Sequence, residues 1–549
     1  MPPPVRRQAI LQLVDETRRR VHAQVAHDDP RRPPGGLWRV AAGSGNIRVP
    51  LSHRAHEAAP RSMDTPPLPA TPPEALRQFD DLPGPRGVPF FGNIRQIEVP
   101  QMHLQLERWC EEFGPVYKLR LGRRKVVVVG DHALIATLLR DRPDGFRRTT
   151  RFEQVWTEMG LVGGVFGATG DDWKRQRRMV MASFDPAHVK GYFPSLQRVA
   201  LRLVARWQQA ARRDATIDLQ TDLMRYTVDT VAGLAFGAEV DTLGSDEDVI
   251  QRHLNRIFPA LSRRLFAPLP TWRWFPSAAD KALRRSVVEV NASVDGFIAQ
   301  ARARLEADPS LRAHPRNLLE AMLVAAAEPD SGITDRDVSG NVLTMLLAGE
   351  DTTANTLAWT IHFLWTNPAT LAQAVAEVRR VCGDAAVPTL EQIAQLDYVE
   401  ACAHEAMRLK PVAPQTGLEA LRDTTLGDVH IPKGMVVIGV MRRDATSERH
   451  VTDPSAFQPE RWLGDAPASA SSAKRISMPF GAGPRICPGR YLALLEMKMA
   501  LAVLLGNFDL ASVGTVDGQP PRELLQLAMA PVGLTMTLRE RGLRVAETA

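Results

Sequence analysis

The sequence predicts a mainly α-helical fold with a small β region, in one large domain over residues 81–549. Three observations carry this. Helical patterns dominate from about residue 170 to 410, and within them Thr334–Thr366 runs 33 residues without proline before stopping at Asn367-Pro368. A β-branched run, Val126-Val127-Val128-Val129, is bounded by Gly130-Asp131 and preceded by Tyr117–Gly122, which reads as a pair of strands. Short strands resume after residue 415, and a last helix reads from Arg490 to Gly506.

Residues 1–80 are expected to be a disordered extension. They hold repeated proline and arginine clusters, such as Pro2-Pro3-Pro4 and Arg18-Arg19-Arg20, and only Ile10–Val25 could form an amphipathic turn. Residues 1–62 contain eleven arginines against five acids, a surplus of six that equals the net charge of the whole chain. The remainder is formally neutral, which argues against a nucleic-acid-binding surface. Two readings stand for this stretch: an Arg-rich targeting peptide, or a spurious upstream reading with Met63 as the natural start. Order begins at Leu82-Pro83-Gly84-Pro85-Arg86-Gly87, a rigid turn cluster.

The 549 residues are 44% hydrophobic and 24% charged, ordinary globular composition. No window approaches the ~20 apolar residues that span a bilayer. The four cysteines, Cys110, Cys382, Cys402 and Cys487, are far apart with no C-x-x-C spacing. This argues against a disulfide framework or a zinc site and fits a reducing compartment. With no bilayer-spanning window and no signal-peptide apolar core, a soluble, cytoplasmic protein is expected, and high Ala, Arg and Pro with little Lys points to a GC-rich bacterial genome.

Cys487 is the most informative residue. In Phe480-Gly-Ala-Gly-Pro-Arg-Ile-Cys487-Pro-Gly489 an aromatic stands seven residues before it, with Gly481, Gly483, Arg485 and Gly489 around it. Pro488 followed by a helical pattern puts the cysteine at a helix N-terminus, where the dipole and free N–H groups favour a thiolate. The glycines let a large flat ligand approach the backbone. A single thiolate with no other ligand beside it suits the axial position of a haem iron.

The pattern F-x-x-G-x-R-x-C-x-G resembles the haem-binding signature of the cytochromes P450, the haem-thiolate monooxygenases. The resemblance implies that family's fold: haem b (iron protoporphyrin IX) lies between the long distal helix and the cysteine-loop helix, and Cys487 ligates the iron. The family's reduced, carbon-monoxide-bound form absorbs near 450 nm, so the same band is expected here. Ala348-Gly349-Glu350-Asp351-Thr352-Thr353, midway along Thr334–Thr366, matches the A-G-x-[DE]-T-T signature of the distal helix. By position, Asp351 relays protons and Thr352 holds dioxygen and a water. Gly349 is expected to ease a widened turn, since mid-helix threonines can bond back to carbonyls.

Further motifs resemble the family's scaffold. Glu405 and Arg408, at i and i+3 and 82 residues before Cys487, match E-x-x-R. Phe457-Gln-Pro-Glu-Arg461-Trp matches F-x-P-E-R-W, whose arginine completes an ion-pair triad. Trp173 and Arg177, at i and i+4, match the W-x-x-x-R pair that holds a haem propionate, and Arg485 matches a further propionate ligand. One position departs: Leu418 stands where the family often has arginine. His404 reads as a packed or surface histidine.

The resemblance also implies partners. Phe152–Phe166, apolar but broken by glycines, falls where the family has a mobile loop over the haem. Leu346, Ala348, Val412–Leu418 and Met529–Leu534 would join it in lining a site for a lipophilic small-molecule substrate. The expected reaction uses O2 and electrons from a separate donor, a ferredoxin or flavodoxin with its reductase or a diflavin reductase, since a chain ending at 549 leaves no room for a flavin domain. Lys174, Arg175, Arg178, Lys474, Arg475, Arg490 and Lys498 are candidate docking cations for an acidic donor. A monomer is expected. Competing readings are a peroxide-driven or isomerising haem-thiolate enzyme, which would often lose the hydroxyl at 352, and a non-catalytic haem sensor, which would not need Asp351-Thr352.

Overall fold

The helix Asp335–Thr366 is the axis on which the other elements assemble. Its start is a capping box: Thr334 accepts from the Asp337 N–H, and Asp337 accepts from the Thr334 N–H. Its end coincides with Asn367, after which Pro368 opens the next helix. Between, most side chains are buried, because helices Leu219–Phe236, Ala278–Ala307, Asp397–Leu409 and Arg490–Asn507 all pack on it. The computed structural model describes residues 76–541 except 185, 239, 245–248, 268 and 465–472. Most of the extension, including Ile10–Val25 and Met63, lies outside the described residues.

Order begins before the proline cluster. Arg77 makes a two-pronged bond to the Asp428 carboxylate at 2.6 and 2.8 Å, and Phe79 is buried. The compact unit runs from Leu76.

The β region is a five-stranded sheet in the order Val116–Leu121, Arg124–Val129, Val436–Val440, Gln415–Ala420, Phe146–Arg148. Only Arg124–Val129 and Val436–Val440 run parallel. The valine run lacks polar alternation because both of its faces are covered. Val127 and Val129 enter one apolar cluster with Leu418 and Val437, while Val126 and Val128 enter another with Trp109 and Trp359. Near the C-terminus, Leu534–Glu540 pairs antiparallel with Phe508–Thr515 and with Ile217–Asp218.

Two expectations about the distal wall change. Thr150–Glu158 is a helix rather than a loop, capped by Thr149, and Phe152, Val155 and Trp156 are buried in the same apolar cluster as Leu346. Of the glycines that follow, Gly164 serves close packing. A Cβ on Gly164 would lie 2.3 Å from the carbonyl of Gly340, and one on Gly340 would lie 2.6 Å from the carbonyl of Gly163.

Candidate haem-thiolate site

The cysteine loop is closed by its own backbone. The Cys487 N–H donates to the Phe480 carbonyl at 2.9 Å, and the Ile486 N–H to Gly483 at 3.1 Å. Gly481 and Gly483 are left-handed, at φ +75° and +70°. Gly483 is also required by space, since a Cβ there would sit 2.7 Å from the Leu139 carbonyl and from Arg140 Cα. The loop thus rests on the C-terminal end of helix His132–Arg140. The cysteine helix begins at Arg490 with Gly489 as its cap, so Pro488 precedes the cap instead of being the first helical residue.

Cys487 is half-buried. Burial pushes its thiol up, against the Gly489 N–H, Arg177 and Arg490, which all pull it down. The pull of the helix N-terminus that the sequence shows is therefore opposed by desolvation, and a coordinated cation would favour the thiolate.

Trp173 and Arg177, on helix Gly170–Ser183, meet this loop. Arg177 Nη2 donates to the Ile486 carbonyl at 2.7 Å, and the Arg485 guanidinium lies 4.8 Å from the Trp173 ring centroid. Arg485 Nη2 donates to the Ala168 carbonyl. Two arginines that sequence reasoning missed complete the cluster, Arg142 and Arg148. Arg148 donates from Nε to the Phe166 carbonyl at 2.7 Å and stacks 3.4 Å from the Phe166 centroid. Burial, then Arg142 and Arg177, push Arg485 down to about 9. Burial, then Arg142 and Arg485, hold Arg148 well below the usual arginine range. Glu153 is bonded to Arg147.

This cluster fits the cofactor that the sequence implies. Four guanidiniums crowd together with only Glu153, itself bonded to Arg147, as a carboxylate acting on Arg485, and among the described residues the buried Nε atoms of Arg142 and Arg485 meet no acceptor. Two propionates of haem b would supply them. The Cys487 thiol would be the soft sulfur donor to its iron. Leu418 does not face this cluster: it is fully buried in the apolar core, directly opposite Arg148 across the strand pair. Its neighbour Gly417 is the exposed one, with nothing within 4 Å of where a Cβ would stand.

On the long helix, Ala348, Asp351 and Thr352 are partly open, together with Thr344, Met345 and Gly349, in an otherwise buried middle. Thr352 Oγ1 donates to the Ala348 carbonyl at 2.7 Å, so the hydroxyl back-bonds as its position predicts. Burial pushes the Asp351 carboxyl up to about 6. Gly349 has a different reason from the one expected. The helix is unbroken there, and a Cβ would lie 2.6 Å from Val231 Cγ2, so Gly349 lets helix Leu219–Phe236 approach. Leu346 points into the core, leaving Ala348 as the open residue of that pair. Among the described residues, no hydrogen bond or ion pair joins Asp351 or Thr352 to the cysteine loop.

The three scaffold residues meet in a buried network. Arg408 grips Glu405 with Nε and Nη2 at 2.8 and 2.7 Å, and Arg461 Nε reaches Glu405 Oε1 at 3.2 Å. Trp462 Nε1 donates to Glu405 Oε2 at 2.9 Å. Arg408 Nη1 also donates to the Ala445 and Pro454 carbonyls. His404 stacks on Trp462, with ring centroids 4.9 Å apart. Of the candidate docking cations, Lys498 is excluded. It is buried and paired with Glu400 at 2.8 Å, and that carboxyl is held down at about 2, first by His404.

No helix among the described residues is long and apolar enough to cross a membrane. All four cysteines are free.

Comparison with known proteins identifies the family. Residues 82–538 match the family model described as Cytochrome P450. The chain is 25% identical over 460 residues to the chloroplastic protein LUTEIN DEFICIENT 5 of Arabidopsis thaliana, covering 82% of this chain and 76% of that one. It is 30% identical over 442 residues to a self-sufficient cytochrome P450 monooxygenase of Phanerodontia chrysosporium, covering 78% of this chain but spanning only 40% of that relative's length. The crystal structure of cytochrome P450DA heme domain superposes with a TM-score of 0.72 at 25% identity, over 85% of this chain and 99% of that one. The chain belongs to the cytochrome P450 family, whose members are haem b-dependent oxidoreductases.

Proposed function

We propose that the protein is a monooxygenase that inserts one atom of O2 into a lipophilic small molecule, with electrons from a separate ferredoxin, flavodoxin or diflavin reductase. The observation that carries this is the open turn of the long helix, where a carboxyl pushed up to about 6 stands next to a hydroxyl. Bound haem supplies the redox centre at which oxygen is activated. Cys487 would supply the sulfur ligand, and Arg485, Arg177, Arg148 and Trp173 would hold the propionates.

Asp351 is suited to taking and giving a proton near neutral pH, since its pKa lies close to the working range. Thr352 commits its proton to the Ala348 carbonyl, which leaves its oxygen lone pairs to hold a water. Leu161, Val165 and Leu347 share one buried apolar cluster with Leu346 of the long helix, and so apolar a surrounding supports a lipophilic substrate class. The four free cysteines support a reducing compartment, and we assign the enzyme to the bacterial cytoplasm.

The test has two stages. A panel of apolar ligands is screened for a change of haem spin state. The best is then turned over under isotopically labelled dioxygen with a ferredoxin and its reductase. One labelled oxygen in the product supports the proposal. Unlabelled product, or equal turnover with peroxide alone, overturns it.

A further inference from the structure

Away from the cysteine loop, two imidazoles converge on one carboxylate. His132 is the first residue of helix His132–Arg140, Asp444 starts the turn after strand Val436–Val440, and His450 follows six residues on. His132 Nδ1 lies 2.9 Å and His450 Nε2 3.5 Å from the same atom, Asp444 Oδ2. One ligand atom from each residue falls within 4.8 Å of both others. The rings stand nearly perpendicular, at 75°, with centroids 4.9 Å apart. Asp444 is buried, whereas the His132 and His450 side chains are 20% and 25% exposed, which leaves a path from solvent.

An ordinary polar cluster explains part of this. Arg443 Nη1 donates to Asp444 Oδ1 at 2.6 Å, and the His132 backbone N–H donates to Oδ2 at 2.8 Å, so the carboxylate anchors the helix start. That account does not need a second imidazole aimed at Oδ2. Donor atoms in a tetrahedral zinc site stand about 3.4 Å apart, given metal–ligand bonds of about 2.0–2.2 Å. The two observed separations bracket that spacing. Cys110 lies close behind, since a Cβ on Gly130 would touch both its Sγ and Arg443 Cδ. The ligand atoms that lie within 4.8 Å of one another among the described residues are those of His132, Asp444 and His450, and the Cys110 sulfur is not one of them. Two nitrogens and one oxygen with an open fourth position suit zinc among divalent cations.

The location gives such a site a consequence. The far end of the His132 helix, Leu139–Arg140, supports Gly483 of the cysteine loop, and Ala445, next to Asp444, accepts from Arg408 of the scaffold network. We infer that His132, Asp444 and His450 bind one zinc(II) ion, which braces the segments carrying the cysteine loop and the Glu405–Arg408 network.

The test uses the full-length, haem-loaded enzyme stripped with chelator and titrated with zinc chloride against a zinc indicator. Wild type is compared with His450→Gln, His132→Asn and, as a control, His314→Gln on an exposed site elsewhere. Wild type and the control should hold one zinc more than the two site variants at micromolar free zinc, with affinity at the site reduced at least about 10-fold in each variant. Zinc taken up by histidines outside the described residues is common to all four and cancels. Zinc should also raise the melting temperature of wild type but not of His450→Gln, which retains the helix-starting Asp444 bonds. Equal uptake by all four proteins overturns the site. A one-equivalent difference without the melting shift overturns the brace.

Discussion

The Arg485 guanidinium lies over the indole of Trp173, 4.8 Å from the ring centroid, and so ties helix Gly170–Ser183 to the cysteine loop two residues before the thiol. A buried cation–π contact is worth roughly 0.5–2 kcal/mol. Trp173→Leu should therefore release haem about 2- to 30-fold faster, read as transfer to an apo-globin acceptor. A release rate equal to wild type would show that the stack does not hold the cofactor.

Cys487→Ser should abolish the carbon-monoxide band near 450 nm, because serine supplies no thiolate to the iron. Protein that folds, binds haem and keeps that band would refute Cys487 as the axial ligand.

Thr352→Ala should leave the thiolate spectrum and substrate-induced spin change nearly intact while lowering coupling. The hydroxyl back-bonded to Ala348 is lost, so protons reach oxygen without control and peroxide rises at the expense of product. General acid–base groups contribute ~10²–10⁴-fold, and a water replacing the hydroxyl would reduce the loss. The measurement is product formed per reducing equivalent, with peroxide counted separately. Equal coupling in both proteins would place the proton relay elsewhere.

Glu405→Ala should destabilise by about 3–5 kcal/mol, because it leaves Arg408 charged and buried without its carboxylate. Denaturant unfolding of the haem-loaded protein reads this directly, and a loss under about 1 kcal/mol would contradict it.

Glu496, on the cysteine helix, is almost fully buried, and burial pushes its carboxyl up to about 8. Its folded state therefore prefers the proton. The stability this gives is complete below the ordinary value of 4.5 and is lost as pH rises through about 8. The melting temperature of wild type should fall between pH 5 and pH 9 (roughly this window), and Glu496→Gln should flatten that fall and be the more stable protein at the alkaline end. Parallel profiles would mean that the carboxyl is solvated.

Much of the architecture was legible because its signals are local. The Thr334 cap and the Asn367-Pro368 stop bound the long helix to within one residue, and the valine run marks its strand at Arg124–Val129. The Glu405, Arg408 and Arg461 network was legible because two short motifs name all of its members. What escaped depends on folding. Arg142 and Arg148 are two of five arginines between residues 140 and 151, and nothing local separates them from Arg140 or Arg151. Only the strand pairing that sets Arg148 opposite Leu418 shows where that side chain starts. Lys498 looked like a surface charge because its partner, Glu400, is 98 residues away. The direction of the Cys487 shift was missed because sequence shows the helix end but not the depth of burial.

Gly340 meets Gly163 and Gly164 backbone to backbone. Thr344 Oγ1 closes on the same point, so backbone and hydroxyl together leave no room for an added methyl. Gly340→Ala would force the two edges apart, making residue 340 a place from which the spacing of the distal wall can be set without altering Asp351 or Thr352.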